Sequence, residues 1–544
     1  MLNVRVCVLV ALAALAQTGL AQNKVADLCV PPASGTAPAL PAHIMTGQGT
    51  EYVHLAITTS NPKAQQFFDQ GLAQLHSFWA NEAERSFLQA AELDPEAPMP
   101  WWGVAMVSAG DYRPRFQIDQ LAEAYGRDPR ARPQRAVEAA RKAVELSQAP
   151  GKATDLEKMY IAAVAARRIP GSKDPNDAYI ESLRAIVAKY PNEVEARTYL
   201  ALHLMRGYEL PDRTPRPGTM EAVGMLRDLL KVAPDHPGVH HYVIHGWEGS
   251  SFARDAWPSC KRYAELVPNI PHALHMPGHI YSQTGKLTEA QNSFSDAARN
   301  ELGYIKADSL YGTGHHGHNV HYLSTAYAFD GQYDKAKEAA RTLLQFEENP
   351  REAAQVDGNF SAHRQGWFAL MRAMVLAQSW DEILDGKSLP VYDRPREQAW
   401  RCWAMGLAHA YKGDPAAAAE DARHMDDVLK QYTEVVKRKP PAELAVAREE
   451  LNGHILAAEG KVKQAFNAMG TAALAQRKLR YSEPPFYPRP VDEAFGEIAL
   501  RLGKLADAEV AFRRALADLP GSARSANGLS EVLKRENKST SAVE

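Results

Sequence analysis

Cysteine is scarce in this 544-residue chain: four in all, Cys7, Cys29, Cys260 and Cys402. Cys7 falls in an N-terminal leader, and three thiols at such long intervals are no disulfide framework. No CxxCH attaches a c-type haem, and no CxxC pair supports a zinc ribbon or a redox dithiol. HExxH, GxSxG and Walker patterns are missing as well. An excess of one charge is also lacking: 62 basic against 65 acidic residues give a net charge of −3. Without a concentrated basic face no nucleic-acid partner is expected. Past the leader, no apolar run reaches the roughly 18 residues of a membrane span. Long β-branched runs are absent too. What remains, 45% hydrophobic and 23% charged with alanine and leucine abundant, reads as packed helix.

The first residues stand apart. Arg5 supplies a positive start, VCVLVALAAL an apolar stretch, and Gly19-Leu20-Ala21 the small residues that a signal peptidase reads. Residues 1–21 are therefore expected to be a signal peptide. A periplasmic or secreted protein follows from that reading.

A bare length prior gives about three to four domains, but internal repeats replace it. Gly71, Ala83, Phe87, Ala90 and Pro95 return at the same offsets as Gly496, Ala508, Phe512, Ala515 and Pro520. A middle copy has Gly278, Tyr281, Ala290, Phe294 and Ala297. This is the tetratricopeptide pattern, in which two helices pack at small positions and proline ends the second. The period shows directly, with Ala222, Ala256 and Ala290 each 34 apart. From Ala290 to Ala336 the step is 46, an insertion of 12. Degenerate copies surround Gly406–Gly413 and Gly453–Gly460. Because such repeats bury their apolar faces against neighbours, the expected fold is one all-α tetratricopeptide-repeat solenoid over 63–544. Residues 22–62, with Pro31, Pro32, Pro38 and Pro41, read as an extended arm lying on the first repeat. RTPRPGT, 213–219, reads as a loop inserted between the two helices of one repeat. Thr154 and Glu157 form a capping-box signature. Cys260 and Cys402 occupy positions where the repeat places core residues.

Histidine carries the chemistry. Of 19 histidines, 11 lie between His236 and His321, within the repeats at 236–345. His241 and His275 are 34 apart, as are His245 and His279, while His272–His318 and His275–His321 repeat the step of 46. Equivalent positions on three consecutive first helices thus carry histidine. Pairs at i,i+3 and i,i+4 share a helix face, so His241, His245, His272, His275, His279, His318 and His321 are expected on one concave stripe. Helices packed about 8–10 Å apart can both reach one ion through metal–imidazole bonds of about 2 Å. Those seven are the candidate metal ligands. Glu248, one turn past His245, is a candidate ligand or general base. His236, His240, His315 and His316 read as ordinary polar residues. Pro277 must sit in a first helical turn or kink its helix. GTGHHG, 312–317, satisfies GxGxxG but follows no strand, so it is no dinucleotide site.

HHYVIHGWE, HALHMPGHIY and HNVHYL, with FFDQGL, AAELDPEAPMPWWG, SWDEIL and YSEPPFYPRP, extend over nearly the whole mature chain. In these the protein resembles exported bacterial tetratricopeptide proteins with an HxxxH–HMPxHI–HNxH series. The resemblance implies a solenoid with a histidine constellation and assigns it no activity. Family members often carry cysteine before the tryptophan–glycine step, where Ala97 and Pro98 stand here, which weakens any role for that region as a source of ligands.

Three function classes remain: a metal-dependent enzyme, a metal carrier without turnover, and a metal-free scaffold gripping a peptide or envelope protein. Imidazole ligands with at most one carboxylate suit copper or zinc, then iron or nickel, and not magnesium or calcium. A peptide or small molecule would occupy the concave groove.

Overall fold

The computed structural model describes residues 41–112, 131–308, 311–346, 361–482 and 484–536. The signal-peptide residues 1–21, the arm up to residue 40, Cys29 and the arginine-rich stretch 113–130 lie outside these residues.

Among the described residues, 23 α-helices and one two-stranded hairpin make up the chain. The N-terminal part comprises α1 (Pro62–His76), α2 (Ala80–Leu93), α3 (Pro98–Val107), α4 (Arg132–Ser147), α5 (Asp155–Arg168), α6 (Pro175–Lys189), α7 (Val194–Leu204) and α8 (Thr219–Val232). The histidine repeats follow as α9 (Pro237–Trp247), α10 (Trp257–Leu266), α11 (Pro271–Gln283), α12 (Leu287–Ala307), α13 (Gly314–Phe329) and α14 (Tyr333–Gln345). The C-terminal part holds α15 (Ala362–Leu376), α16 (Trp380–Leu384), α17 (Pro395–Tyr411), α18 (Pro415–Val436), α19 (Ala442–Ala458), α20 (Val462–Arg477), α21 (Val491–Arg501), α22 (Leu505–Asp518) and α23 (Ala523–Arg535). Helices adjacent in sequence pack on one another along this order. The fold is an all-α tetratricopeptide solenoid, and no described helix is long and apolar enough to cross a membrane.

The repeat signature has a direct steric cause. A Cβ placed on Gly71 would stand 2.8 Å from the ring of Phe87, on Gly278 2.5 Å from Phe294, and on Gly496 2.8 Å from Phe512. The phenylalanine of each second helix fills the space of the missing side chain on the first, and close packing leaves no alternative. In the degenerate copy Met469 takes that space, 2.5 Å from where a Cβ on Gly453 would stand. Thr154 and Glu157 close the expected capping box. RTPRPGT belongs to the α7–α8 connection, where Tyr208–Glu209 pairs with Thr214–Pro215. Cys260 is fully buried, and burial pushes its thiol far above the usual range. Cys402 is only half-buried, with burial raising its thiol to about 11; it lies at the edge of the C-terminal core rather than inside it.

The insertion of 12 residues lengthens α12 to 21 residues. That extension carries Tyr304 and, just past its end, Asp308 and Tyr311 back to the first repeat. Trp79 stacks on Tyr311 with centroids 5.5 Å apart, Arg85 pairs with Asp308 at 3.0 Å, and Tyr311 donates to Glu82. The described part of the arm joins the same junction. Gln48 donates to the Asn269 carbonyl at 2.7 Å, and the Asn269 amide donates to the Gly47 carbonyl at 3.0 Å. From the other end, the Gly521 turn packs backbone to backbone on Gly285, and Tyr481 donates to Glu248 at 3.3 Å. Both ends of the solenoid therefore rest on the histidine repeats.

Candidate metal centre

α9 presents His241 and His245, α11 presents His272, His275 and His279, and α13 presents His318 and His321. Pro277 lies within α11 beyond its first turn, which Pro271 opens. Lacking an N–H, it cannot donate to the Ala273 carbonyl. His275 and His279 flank it on the continuing helix.

The structure sorts the histidines into two triads rather than one stripe. One ring nitrogen each of His241, His245 and His272 falls within 4.8 Å of the other two, and the same holds for His275, His279 and His318. The triads adjoin through His272 and His275, whose ring centroids are 6.4 Å apart. All six are buried except His245, which is half-buried. The expected groove is thus filled by the chain itself at this level.

Hydrogen bonds fix which nitrogen of each ring is available. His241 Nδ1 lies 2.6 Å from the His76 carbonyl, which can only accept, so Nδ1 carries the proton and Nε2 the lone pair. His245 Nδ1 donates to Glu248 Oε2 at 3.0 Å, and His279 Nδ1 to Glu248 Oε1 at 2.6 Å. The Nε2 atoms of His241 and His245 and both nitrogens of His272 are buried without a hydrogen-bond partner. Buried polar atoms are ordinarily paired, and what sets these nitrogens apart from the protein's other unpartnered ones is that three imidazoles converge on one point. In the second triad His275 Nε2 and His279 Nε2 face each other at 2.6 Å. Burial first, then the adjacent imidazoles, holds His241, His272 and His275 well below the usual histidine range, in the neutral form a ligand requires.

Glu248 is the hinge of the arrangement. Its two carboxylate oxygens are each taken by a histidine of a different triad, so it orients imidazoles from behind instead of facing the centre as ligand or base. Burial would raise its carboxyl, but His279 and His245 outweigh it and hold the group well below the carboxylate range.

His321 stands apart from both triads. Its Nε2 accepts from Arg372 Nη1 at 3.1 Å, and a nitrogen occupied by a guanidinium is closed to an ion. Two residues invisible to the repeat register join the site. His315 donates from Nδ1 to Glu301, while its Nε2 is buried without a partner and its ring lies 6.1–6.2 Å from those of His272, His275 and His318. Phe78 lays its ring 4.6 Å from His241, 5.6 Å from His245 and 5.8 Å from His272. Its φ of 53° is left-handed, at the turn position where Gly285, Gly413, Gly460 and Gly503 stand in other repeats. That offset from the repeat glycine was the signal available in the sequence.

A third group, His76, Glu195 and His236, differs in kind. Glu195 accepts from His76 Nε2 at 2.6 Å and from His236 Nε2 at 2.9 Å. His76 Nδ1 meets the Tyr242 hydroxyl at 3.2 Å, and His236 Nδ1 accepts from the Val239 amide at 3.2 Å. Every ring nitrogen is used, so this group is a closed network. His240 is likewise satisfied by Ser259 and the Pro234 carbonyl.

A cavity of about 520 Å³ reaches His245 and Glu248 from outside, between the 206–216 connection and residues 478–481. Arg206, Arg216, Lys478 and Arg480 line it.

No family model matches the chain, and no curated protein matches it. Solved structures similar to it include the Cut9–Hcn1 hetero-tetramer of APC/C, 12% identical over 87% of this chain and 90% of that one, with a TM-score of 0.27. The human IFIT1 dimer with m7Gppp-AAAA is 11% identical over 90% and 95%, TM-score 0.33. The TPR domain of P58(IPK) is 13% identical over 88% and 99%, TM-score 0.22.

Proposed function

We propose that this chain is a histidine-ligated transition-metal protein built on a tetratricopeptide solenoid, acting in the periplasm or outside the cell. One observation carries the reading: Nε2 of His241, Nε2 of His245 and the His272 ring converge, buried and unpartnered, with the orienting bonds of His241 and His245 already made behind them. Neutral imidazoles behind a carboxylate suit zinc or copper, then iron. His241, His245 and His272 would hold one ion and His275, His279 and His318 a second. Such an ion supplies Lewis-acid or redox chemistry, and the basic cavity at His245 would admit a small anionic substrate. That access favours a metal-dependent enzyme over a closed store. Burial of the histidines speaks against a peptide-gripping groove.

The test is elemental analysis of protein from an export-competent host. His241→Ala with His272→Ala should remove one equivalent of metal, and His275→Ala with His279→Ala another. His236→Ala and His321→Ala should remove none. Metal content unchanged by both double substitutions would overturn the reading.

A further inference from the structure

Three arginines are buried in the described structure: Arg85, Arg372 and Arg489. Arg85 pairs with Glu82 and Asp308, and Arg489 pairs with Glu450. Arg372 has no carboxylate within ion-pairing distance among the described residues. Its guanidinium donates to His321 Nε2, to Thr325 Oγ1 at 2.6 Å and to the Pro485 carbonyl, all neutral, while Nε is buried without a partner. Burial, then the nearby Arg396, lowers it to about 9. A buried charge without a counter-ion is costly, and α15 could have carried an apolar residue at that position.

The surroundings add positive charge instead of cancelling it. Arg364, Phe368 and Arg372 follow at i, i+4 and i+8, one face of α15. The Phe368 ring lies between two guanidiniums, Arg372 at 5.1 Å and Arg396 at 5.4 Å. In front of it opens a cavity of about 470 Å³, lined by His321, Phe368, Arg396, Arg438, Arg480 and Phe486 among others. Arg364 is committed to Glu397 by two bonds of 2.7 and 2.9 Å. Arg396 has only loose pairs at 3.6 Å to Glu397 and to the lining Glu443. Arg438 and Arg480 have no carboxylate partner among the described residues. Because Arg372 can only donate, His321 Nε2 must accept, and the ring proton sits on Nδ1. His321 is thereby a neutral donor on the cavity wall, and Arg372 is a positioning residue behind it.

We infer that this cavity, between α13, α15, Arg480 and residues 484–486, is a binding site for a small organic polyanion, a phosphate monoester or a polycarboxylate. Arg396, Arg438 and Arg480 engage its oxygens with forked N–H groups. Phe368, Phe486 and the prolines at 484 and 485 accept its carbon skeleton. The site shares Arg480 with the cavity at His245, but no triad histidine lines it, and it does not depend on the triads holding an ion.

The experiment is calorimetric titration of the full-length protein at physiological salt, as purified and after stripping with the neutral chelator 1,10-phenanthroline. Phenyl phosphate, citrate and acetate are the probes. Saturable binding of phenyl phosphate or citrate is expected, at least about 10-fold tighter than acetate and equal in the two preparations. The tighter of the two names the source as phosphate ester or polycarboxylate. Arg396→Ala and the exposed Arg438→Ala should each weaken binding by about 10-fold or more. Arg372→Met should abolish it; should that variant fail to fold, the two alanine variants decide. Absence of saturable binding by both probes, or binding unchanged in Arg396→Ala and Arg438→Ala, overturns the inference. Binding that disappears on metal stripping also overturns it, because the anion would then be sitting on the ion.

Discussion

Phe78 holds a left-handed backbone conformation, φ 53°, and with it places its ring 4.6 Å from the imidazole of His241. For a bulky L-residue that conformation costs roughly 1–2 kcal/mol, and the corresponding turns at Gly285, Gly413, Gly460 and Gly503 use glycine, Gln378 being another exception. The cost is retained where an aromatic ring covers the first histidine triad. Local strain kept at such a spot points to function in the ring.

Phe78→Gly should therefore relieve the backbone while uncovering the triad. Relief of roughly 1–2 kcal/mol of backbone strain should offset part of the packing lost with the half-buried ring, so stability should fall by less than a truncation at an unstrained position. Metal loss to a chelator should accelerate several-fold, read by stopped-flow absorbance of the chelate. Unaltered release kinetics would deny Phe78 its covering role.

Glu248→Gln tests the carboxylate shared by the triads. An amide offers one oxygen, so His245 and His279 can no longer both donate. Losses in metal affinity on changing such outer partners are about 10–100-fold, and that range is expected here from competition against a calibrated chelator. Both ions should be affected, which separates this substitution from the loss of any single histidine.

Stability should fall with acid in metal-free protein, and two buried histidines outside the triads add to the contribution of His241, His272 and His275. His203 accepts from Arg167 and is held well below the usual histidine range by burial and then by that arginine; His321 is held down by burial and then by Arg372. Both rings are neutral in the fold but gain protons in the unfolded chain below about pH 6.5, so the unfolded state binds more protons and stability drops as pH falls. Asp111 acts elsewhere on the scale. Burial would raise it, but Arg168 and Arg167 bring it to about 2, so its stabilisation is complete above about pH 4 and is lost only as pH falls through 2. The unfolding free energy from urea titration should decline from pH 7.5 to 5.5 by up to about 1.4 kcal/mol per pH unit for each histidine. His203→Gln should flatten the decline. A flat profile in the wild-type chain would contradict the assignment.

Two glycine substitutions should move in opposite directions. Gly224 is exposed on α8 with nothing within 4 Å of a built Cβ, so Gly224→Ala should stabilise by about 0.5–1 kcal/mol through helix propensity. Gly278→Ala drives a methyl to 2.5 Å from Phe294 and should destabilise by about 1–3 kcal/mol, which thermal unfolding can resolve.

The repeats were legible because their cause is local. A glycine 16 residues before a phenylalanine describes one helix pair packing on itself, as Gly278 and Phe294 do. Histidines in register at 34 and 46 were legible for the same reason, and six of the seven fall into the triads. His321 was misread because i,i+3 leaves two side chains about 60° apart around a helix. That angle turns His318 toward α11 and His321 toward Arg372 on α15. Phe78 and the His76 carbonyl escaped because they reach the site across the closure of the solenoid; the repeat register marks the Phe78 turn as unusual without telling what its ring touches. The pairing of nitrogens with Glu248, Glu301 and a carbonyl, and hence the division into two triads, depends on ring rotations that residue spacing does not carry.

That closure changes what kind of polymer this chain is. Repeat arrays are commonly treated as one-dimensional, each unit coupled only to its neighbours, able to fray from either end. Here Tyr311 meets Glu82 across 229 residues of sequence and Arg85 meets Asp308 across 223. Fraying the first repeat would strip Phe78 and the His76 carbonyl from the histidines in the middle of the array. During synthesis the same link runs in reverse: the first helix pair waits for more than two hundred further residues before its partners exist. High sequence separation slows folding because loop-closure entropy is spent before the contacts form. This solenoid should therefore fold late and as a unit, its histidine triads among the last parts to mature.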